Sequence, residues 1–123
     1  MPFNALFFGS LLAATGVALG AFGAHGLRHL LSPPALEWWH TAVEYQMWHA
    51  LGLIGLGATR IPGLRWASAL LGVGTVIFSG SLYLLALTDL RWLGMVTPLG
   101  GLFMISGWLA AAWQMKHVTR QSQ

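Results

Sequence analysis

The sequence of 123 residues has little charge: Asp, Glu, Lys and Arg together make up only 7% of it. Soluble domains carry about 25% charged residues. Hydrophobic residues account for 56% of the chain, and its mean hydropathy is +0.66. This composition argues against a soluble fold and predicts a protein whose surroundings are mostly membrane lipid.

Cysteine is absent, so disulfides, thiolate nucleophiles and cysteine metal sites are excluded. Basic residues are few, and they are spread along the chain at the ends of apolar runs. They are Arg28, Arg60, Arg65, Arg91, Lys116 and Arg120. A nucleic-acid-binding protein needs its basic residues in one patch or stripe. No nucleic acid is therefore expected among the partners.

Charged residues divide the chain into four uncharged runs. These runs are residues 1–27, 45–59, 66–88 and 92–115. A helix needs about 20 residues to cross the hydrocarbon layer, so the second run is too short by itself. Its helix must begin earlier, and Ser32 followed by Pro33 is typical of a helix start. The sequence predicts one integral membrane domain with helices over about 3–27, 33–59, 66–87 and 92–115.

Short turns between these helices predict an all-α fold, a four-transmembrane-helix antiparallel bundle. An amphipathic helical extension precedes the second span, with Glu37, His40 and Glu44 on one face. The loops and tail on the side of the two termini carry four of the six basic residues. By the positive-inside rule, this distribution predicts a multi-pass protein with both termini in the cytoplasm.

Small residues mark the predicted helix-packing faces. In lipid, helices associate where small side chains let their backbones approach. Gly16, Gly20 and Ala24 follow one another at a spacing of four on the first helix, and Gly80 serves the third. Packing within one protomer and a dimer interface both fit this spacing. Pro98, about one and a half turns into the predicted fourth helix, predicts a kink.

Polar side chains within the apolar runs need partners, because an unpaired polar group is costly in hydrocarbon. Six of them converge in depth, in the non-cytoplasmic third of the predicted bundle. They are His25, Glu44, His49, Ser79, Tyr83 and Thr97. We expect His49 to approach Ser79 or Tyr83 and the start of the fourth helix, with His25 closing the group.

Three interpretations of this polar cluster stay open: a structural hydrogen-bond network, a pocket for a lipid or quinone, and a metal or haem site. His25 and His29 have the spacing of helical ligands, but His40, Glu44 and His49 do not share one face. No metal ion and no cofactor are therefore expected. The sequence also has no nucleophile with a positioned base and no paired carboxylates, so we expect no enzymatic activity.

Four motifs resemble a known family. They are LGAFGAHG at 19–26, EYQ at 44–46 with His49, FSGSLY at 78–83, and TPLGG at 97–101 with GW at 107–108. The chain is similar to small bacterial inner-membrane proteins classed as domain of unknown function 423, or uncharacterised protein family 0382. This resemblance covers nearly the whole chain and implies a four-helix protein of the bacterial inner (plasma) membrane.

The resemblance does not imply an activity. We therefore expect a small non-enzymatic membrane protein that acts as an accessory subunit of a larger membrane complex or as a homo-oligomer. The alternative is a binder of a lipid, quinone or haem through the polar cluster.

Overall fold

The computed structural model describes residues 3–122, and their side chains as far as residue 118. Over this range the protein is all-α, without a β-strand. Its helices are α1 (Ala5–His25), α2 (Pro33–Ala58), α3 (Arg65–Thr88) and α4 (Thr97–Ser122). Two short 3-10 turns, Pro62–Leu64 and Arg91–Met95, precede α3 and α4.

Polar side chains cap the first two helices. The Asn4 side chain accepts a hydrogen bond from the Phe7 N–H, at 3.1 Å, at the start of α1. The Ser32 hydroxyl accepts one from the Ala35 N–H, at 3.3 Å, with Pro33 in the first turn of α2. Both bonds satisfy N–H groups that have no partner within the helix.

The fourth helix begins later than the sequence predicts. Residues 91–95 form a 3-10 turn, so α4 starts at Thr97 and Pro98 falls in its first turn. The prediction that Pro98 lies one and a half turns inside the helix is wrong. Proline is tolerated in a first turn, because the N–H it lacks has no intrahelical partner there. The Thr97 hydroxyl lies 3.3 Å from the Leu93 carbonyl oxygen, across the junction.

The helices pack in chain order. α1 packs on α2, α2 on α3 and α3 on α4, with a smaller contact between α1 and α3. The buried face of α2 alternates spacings of four and three residues, as expected of a helix packed along its length. It contains Ala35, Trp39, Ala42, Gln46, His49, Leu53 and Leu56. The outer helices α1 and α4 expose large apolar side chains, among them Phe7, Val17, Leu102 and Leu109.

Glycines at a spacing of seven make the closest contacts of α1 with α2. A methyl group at Gly23 would lie 2.4 Å from the Trp39 indole nitrogen, and one at Gly16 would lie 2.6 Å from the Met47 sulfur. A methyl group at Gly9 would lie 2.9 Å from the Ala50 carbonyl oxygen. The contact at Gly20 is less close, since a methyl group there would lie 3.2 Å from the Val43 side chain. Ala24 is exposed, so this stripe passes through Gly23 instead.

Close approach of α3 and α4 depends on Gly74 and Gly100. A methyl group at Gly100 would lie 2.5 Å from the Phe78 nitrogen, and one at Gly74 would lie 2.9 Å from the Gly100 carbonyl oxygen. At Gly80 a methyl group would meet no atom within 4 Å. The tight contact of α3 with α4 is therefore at Gly74 rather than at Gly80.

Three stretches among the described residues are long and apolar enough to cross a membrane. They are Ala5–His25, Pro62–Thr88 and Arg91–Val118. The helix α2, which carries Glu37 and Glu44, is not among them. The other three helices are sufficient to identify a transmembrane protein.

Candidate functional site

Gln46 is the centre of a buried hydrogen-bond network that joins three helices. Its side chain, on α2, is only 4% exposed. The Nε2 group donates to the Leu12 carbonyl at 2.9 Å and to the Thr15 hydroxyl at 2.8 Å, both on α1. Its Oε1 atom accepts from the Tyr83 hydroxyl on α3, at 2.7 Å. Both amide protons and the amide oxygen therefore have partners inside the protein.

Trp39 extends the same network by two turns of α2. Its indole N–H donates to the Leu19 carbonyl of α1 at 2.9 Å. Its ring meets the Tyr83 ring edge-on, with centroids 4.6 Å apart. The indole reaches the α1 backbone only because Gly23 has no side chain there. This arrangement satisfies the polar end of a large buried aromatic residue, which the hydrocarbon phase would leave unpaired.

His49 joins α2 to α4. The indole N–H of Trp108 points at His49 Nε2, at 3.1 Å, and His49 Nδ1 lies 2.8 Å from the Tyr45 carbonyl oxygen. An indole N–H only donates, so Nε2 must be the acceptor and the proton must be on Nδ1. His49 is thus a neutral imidazole with both ring nitrogens in use. Neither nitrogen is free to ligate a metal or a haem iron.

Hydroxyl groups join α3 to its neighbours. The Ser79 hydroxyl donates to the Ala42 carbonyl of α2 at 2.7 Å. The Ser81 hydroxyl contacts the Thr97 hydroxyl of α4 and the Phe78 carbonyl. Each hydroxyl has one proton, so one of the pair donates to its neighbour and the other to a main-chain carbonyl. A hydroxyl side chain of α3 thus bonds across each of its interfaces with α2 and α4, as expected where water is absent.

The polar residues predicted from the sequence do not form a single cluster. Four of them lie in separate groups: Tyr83 with Gln46, His49 with Trp108, Ser79 with the α2 backbone, and Ser81 with Thr97. His25 and Glu44 are exposed. His49 therefore bonds to Tyr45 and Trp108 in place of Ser79 or Tyr83, and His25 does not close the group.

Sequence reasoning missed Thr15, Trp39, Gln46 and Trp108. Two of them lie in segments quoted above for the family resemblance, Gln46 in EYQ and Trp108 in GW. Trp39 is seven residues before Gln46 and so lies on the same helical face. That spacing is a signal that could have placed the indole on the same helical face as the amide, two turns away.

Buried polar side chains form hydrogen bonds within the protein. Over the residues that the structure describes, each buried side-chain nitrogen or oxygen has a hydrogen-bond partner. The same residues contain no group of three metal-ligating side chains. The arrangement therefore fits a network that holds helices together, because its buried polar groups already have partners within the protein.

Tryptophans pair with basic residues near both ends of the helices. At one end Arg91 lies over the Trp38 ring at 5.3 Å and bonds to Asp89 at 2.9 Å. At the other, Arg65 lies over Trp66 at 5.7 Å and Lys116 over Trp113 at 5.8 Å. Indoles beside basic side chains are typical of the headgroup level of a bilayer.

Comparison with known proteins gives a consistent set of relatives. The family described as "Protein of unknown function (DUF423)" matches residues 19–101. The chain is 50% identical over 107 residues to a UPF0382 membrane protein of Staphylococcus haemolyticus, which covers 85% of this chain and 88% of that protein.

Two further relatives come from other bacteria. One is the UPF0382 membrane protein YwdK of Bacillus subtilis, 43% identical over 85% of this chain and 89% of its own length. The other is the UPF0382 inner membrane protein YgdD of Escherichia coli K12, 42% identical over 84% of this chain and 82% of its own length. No solved structure matches the chain.

Proposed function

The chain belongs to the family described as "Protein of unknown function (DUF423)", and from this membership and the geometry above we propose a role carried out inside the bilayer. The protein is a small non-enzymatic component of the bacterial inner membrane. Its Escherichia coli relative is named as an inner membrane protein. It acts through contacts of its helices, as an accessory subunit of a larger complex or as a homo-oligomer.

All four helices cross the membrane in this proposal, as an antiparallel bundle. α2 has 26 residues, so it is about 39 Å long, which exceeds the roughly 30 Å hydrocarbon layer. It contacts α1 from Gly57 beside Leu6 at one end to Trp39 beside Gly23 at the other. Because α1 is apolar enough to span the membrane, a helix paired with it over this length lies in the same layer.

The proposed orientation places both termini in the cytoplasm. Four basic residues lie on the side of the termini, whereas Arg28 and Arg91 lie toward the other side, and all three acidic residues lie in the half of the chain's helices nearer that other side. Lys and Arg in short loops favour the cytoplasmic side.

One observation carries the proposal of association: the outward face of α2 is poorly suited to lipid. Glu44, Trp48, Leu51 and Gly55 share this face at spacings of four, three and four residues. Glu44 is exposed between the buried residues Trp39 and His49, well inside the helix. A carboxylate facing hydrocarbon costs several kilocalories, about 2.5–3.5 kcal/mol even on the lower scales. A second protein surface that covers this face and supplies a hydrogen-bond donor or a basic side chain to the carboxylate would offset that cost.

The alternative function, binding of a lipid, quinone or haem by the polar cluster, has weaker support. Its central groups already bond within the protein: the Gln46 amide through both its protons and its oxygen, and His49 through both its ring nitrogens. A ligand would have to displace these bonds before it gained any of its own.

Cysteine cross-linking in native membranes tests the association. The chain has no cysteine of its own, so a single introduced thiol reports one position. Gly55→Cys places the thiol on the outward α2 face, where a side chain meets no atom within 4 Å. Ile105→Cys places it on the exposed apolar face of α4 as the matched control.

We expect the Gly55→Cys protein to cross-link several-fold more than the Ile105→Cys protein, and Glu44→Ala to lower its yield. A dimer identifies a homo-oligomer, whereas a product with a different protein identifies an accessory subunit. Equal yields from the two positions would contradict the proposal.

A further inference from the structure

A second feature, independent of the polar network, is a pocket of about 560 Å³ at the end of the bundle nearest the N-terminus. It lies between the start of α1, the end of α2 and the turn before α3. Its apolar wall includes Phe3, Leu6, Leu56 and Ile61, and its polar lining includes Arg60 and Arg65. The site is thus apolar on one side and cationic on the other.

Charge around this pocket is unbalanced. Within the described part of the chain, the ion pair between Arg91 and Asp89 is the only salt bridge, and it lies near the opposite end of the helices. Glu37, Glu44 and Asp89 are all remote in the fold from the 60–65 turn. Neither Arg60 nor Arg65 therefore has a carboxylate partner there. Two arginines that line one pocket favour an anion, and phosphate matches the fork of donors on a guanidinium group.

The depth of the pocket points to a lipid rather than to a free anion. Arg65 packs beside Trp66, an indole 71% exposed, and exposed indoles concentrate at the headgroup level of a bilayer. A free phosphate would leave the wall formed by Leu6 and Leu56 uncovered. An acyl chain would cover it, while the lipid phosphate stays with the two arginines.

We propose that this pocket binds an anionic phospholipid, with its phosphate at Arg60 and Arg65 and an acyl chain along the apolar wall. Basic pockets between helices on the cytoplasmic side are a recurrent way to hold such headgroups. The assignment to the cytoplasmic leaflet rests on the proposed orientation. The pocket and its charge do not.

Native mass spectrometry of the full-length protein, released from micelles doped with one lipid at a time, tests the proposal. The probes are phosphatidylglycerol, phosphatidylcholine and inorganic phosphate. The test variant is Arg60→Gln/Arg65→Gln. Its matched control, Arg28→Gln/Arg91→Gln, removes the same charge from the opposite end of the helices. A third variant, Arg60→Lys/Arg65→Lys, keeps the charge and guards against a loss caused by misfolding.

We expect the unchanged protein, the control and the lysine variant to retain phosphatidylglycerol in preference to phosphatidylcholine. The glutamine variant should bind phosphatidylglycerol at least about tenfold more weakly, since each basic side chain near an anionic headgroup contributes about a factor of five or more. Equal retention of the two lipids by the unchanged protein would overturn the proposal. So would a loss of phosphatidylglycerol from the Arg28→Gln/Arg91→Gln control as large as that from the glutamine variant, or displacement of phosphatidylglycerol by millimolar inorganic phosphate.

This measurement is made on purified protein, so it does not depend on the orientation or on the cross-linking result. A negative result would overturn the lipid site alone. A failure of cross-linking or of the predicted topology would leave the lipid measurement as it is.

Discussion

Gln46 places an amide on the buried face of α2, between Ala42 and His49. The amide is tolerated because three hydrogen bonds, to Leu12, Thr15 and Tyr83, satisfy it from two other helices. An apolar residue at this position would leave the Tyr83 hydroxyl without its acceptor. The residue thus specifies which helices meet, and at which level.

A double-mutant cycle on Gln46 and Tyr83 measures this bond. Tyr83→Phe leaves the Gln46 oxygen unpaired and should lower the free energy of unfolding by about 0.6 kcal/mol, with about 1.7 kcal/mol as the upper end for such bonds. Gln46→Leu should cost more, because it removes three bonds at once. Combined with Tyr83→Phe it should cost less than the sum of the two single changes. Additive unfolding energies in mixed micelles would mean that the bond contributes nothing.

The bond from Trp108 to His49 gives a second prediction at this scale. Trp108→Phe keeps an aromatic ring beside Gly52 but removes the N–H donor, so we expect a loss of about 0.6–1.7 kcal/mol in unfolding free energy. Trp113→Phe on the same helix is the control, since Trp113 is 60% exposed. Thermal unfolding in detergent compares the two. A larger loss from Trp113→Phe would contradict the role assigned to His49.

At the scale of the helices, glycine spacing was only partly predictable. A spacing of four and a spacing of seven both keep residues on one face of a helix, because 3.6 residues make a turn. The sequence of α1 alone does not distinguish them. The large side chains of α2 determine that the spacing is seven, since Trp39 and Met47 occupy the space beside Gly23 and Gly16. Ala24 is exposed for this reason.

A pair of glycine substitutions tests the contact between α3 and α4. Gly100→Ala puts a methyl group 2.5 Å from the Phe78 backbone nitrogen, which cannot move as a side chain can. We expect it to lower stability by about 1–3 kcal/mol, the usual range for overpacking. Gly80→Ala meets no atom within 4 Å and is the control, with a change of about 0.5 kcal/mol or less. Equal effects on detergent unfolding would contradict this contact.

The start of α4 shows why hydropathy predicts that a helix exists better than it predicts the residue at which the helix begins. Trp92, Leu93 and Met95 are as apolar as the helix that follows, so the pattern has no polar break at the 3-10 turn.

The hydrogen-bond partners of the polar residues were also only partly predictable. Depth along a helix follows from residue number, but the partner of a side chain depends on how the neighbouring helices are rotated. His49 therefore pairs with Trp108, not with Tyr83.

At the scale of the whole molecule, the chain-order packing of the helices leaves different surfaces on different sides. The outer faces of α1 and α4 are apolar and suit lipid. The outward face of α2 carries Glu44 and is where the proposed partner binds. The pocket beside Arg60 and Arg65 is where the proposed lipid binds.

The central claim is that α2 is a fourth membrane span, although hydropathy identifies only the other three. With four spans, residues 60 and 116 lie on one side of the membrane and residue 30 on the other. If α2 stays at the surface, residues 30, 60 and 116 all lie on the same side. The number of spans therefore follows from the sidedness of three exposed positions.

Labelling of single cysteines by a membrane-impermeant maleimide in spheroplasts measures this directly. Leu30→Cys, Arg60→Cys and Lys116→Cys are all at exposed positions of a chain without cysteine. We predict that Leu30→Cys is labelled in intact spheroplasts, and that the other two are labelled only after lysis. Labelling of all three from outside would contradict the four-span account.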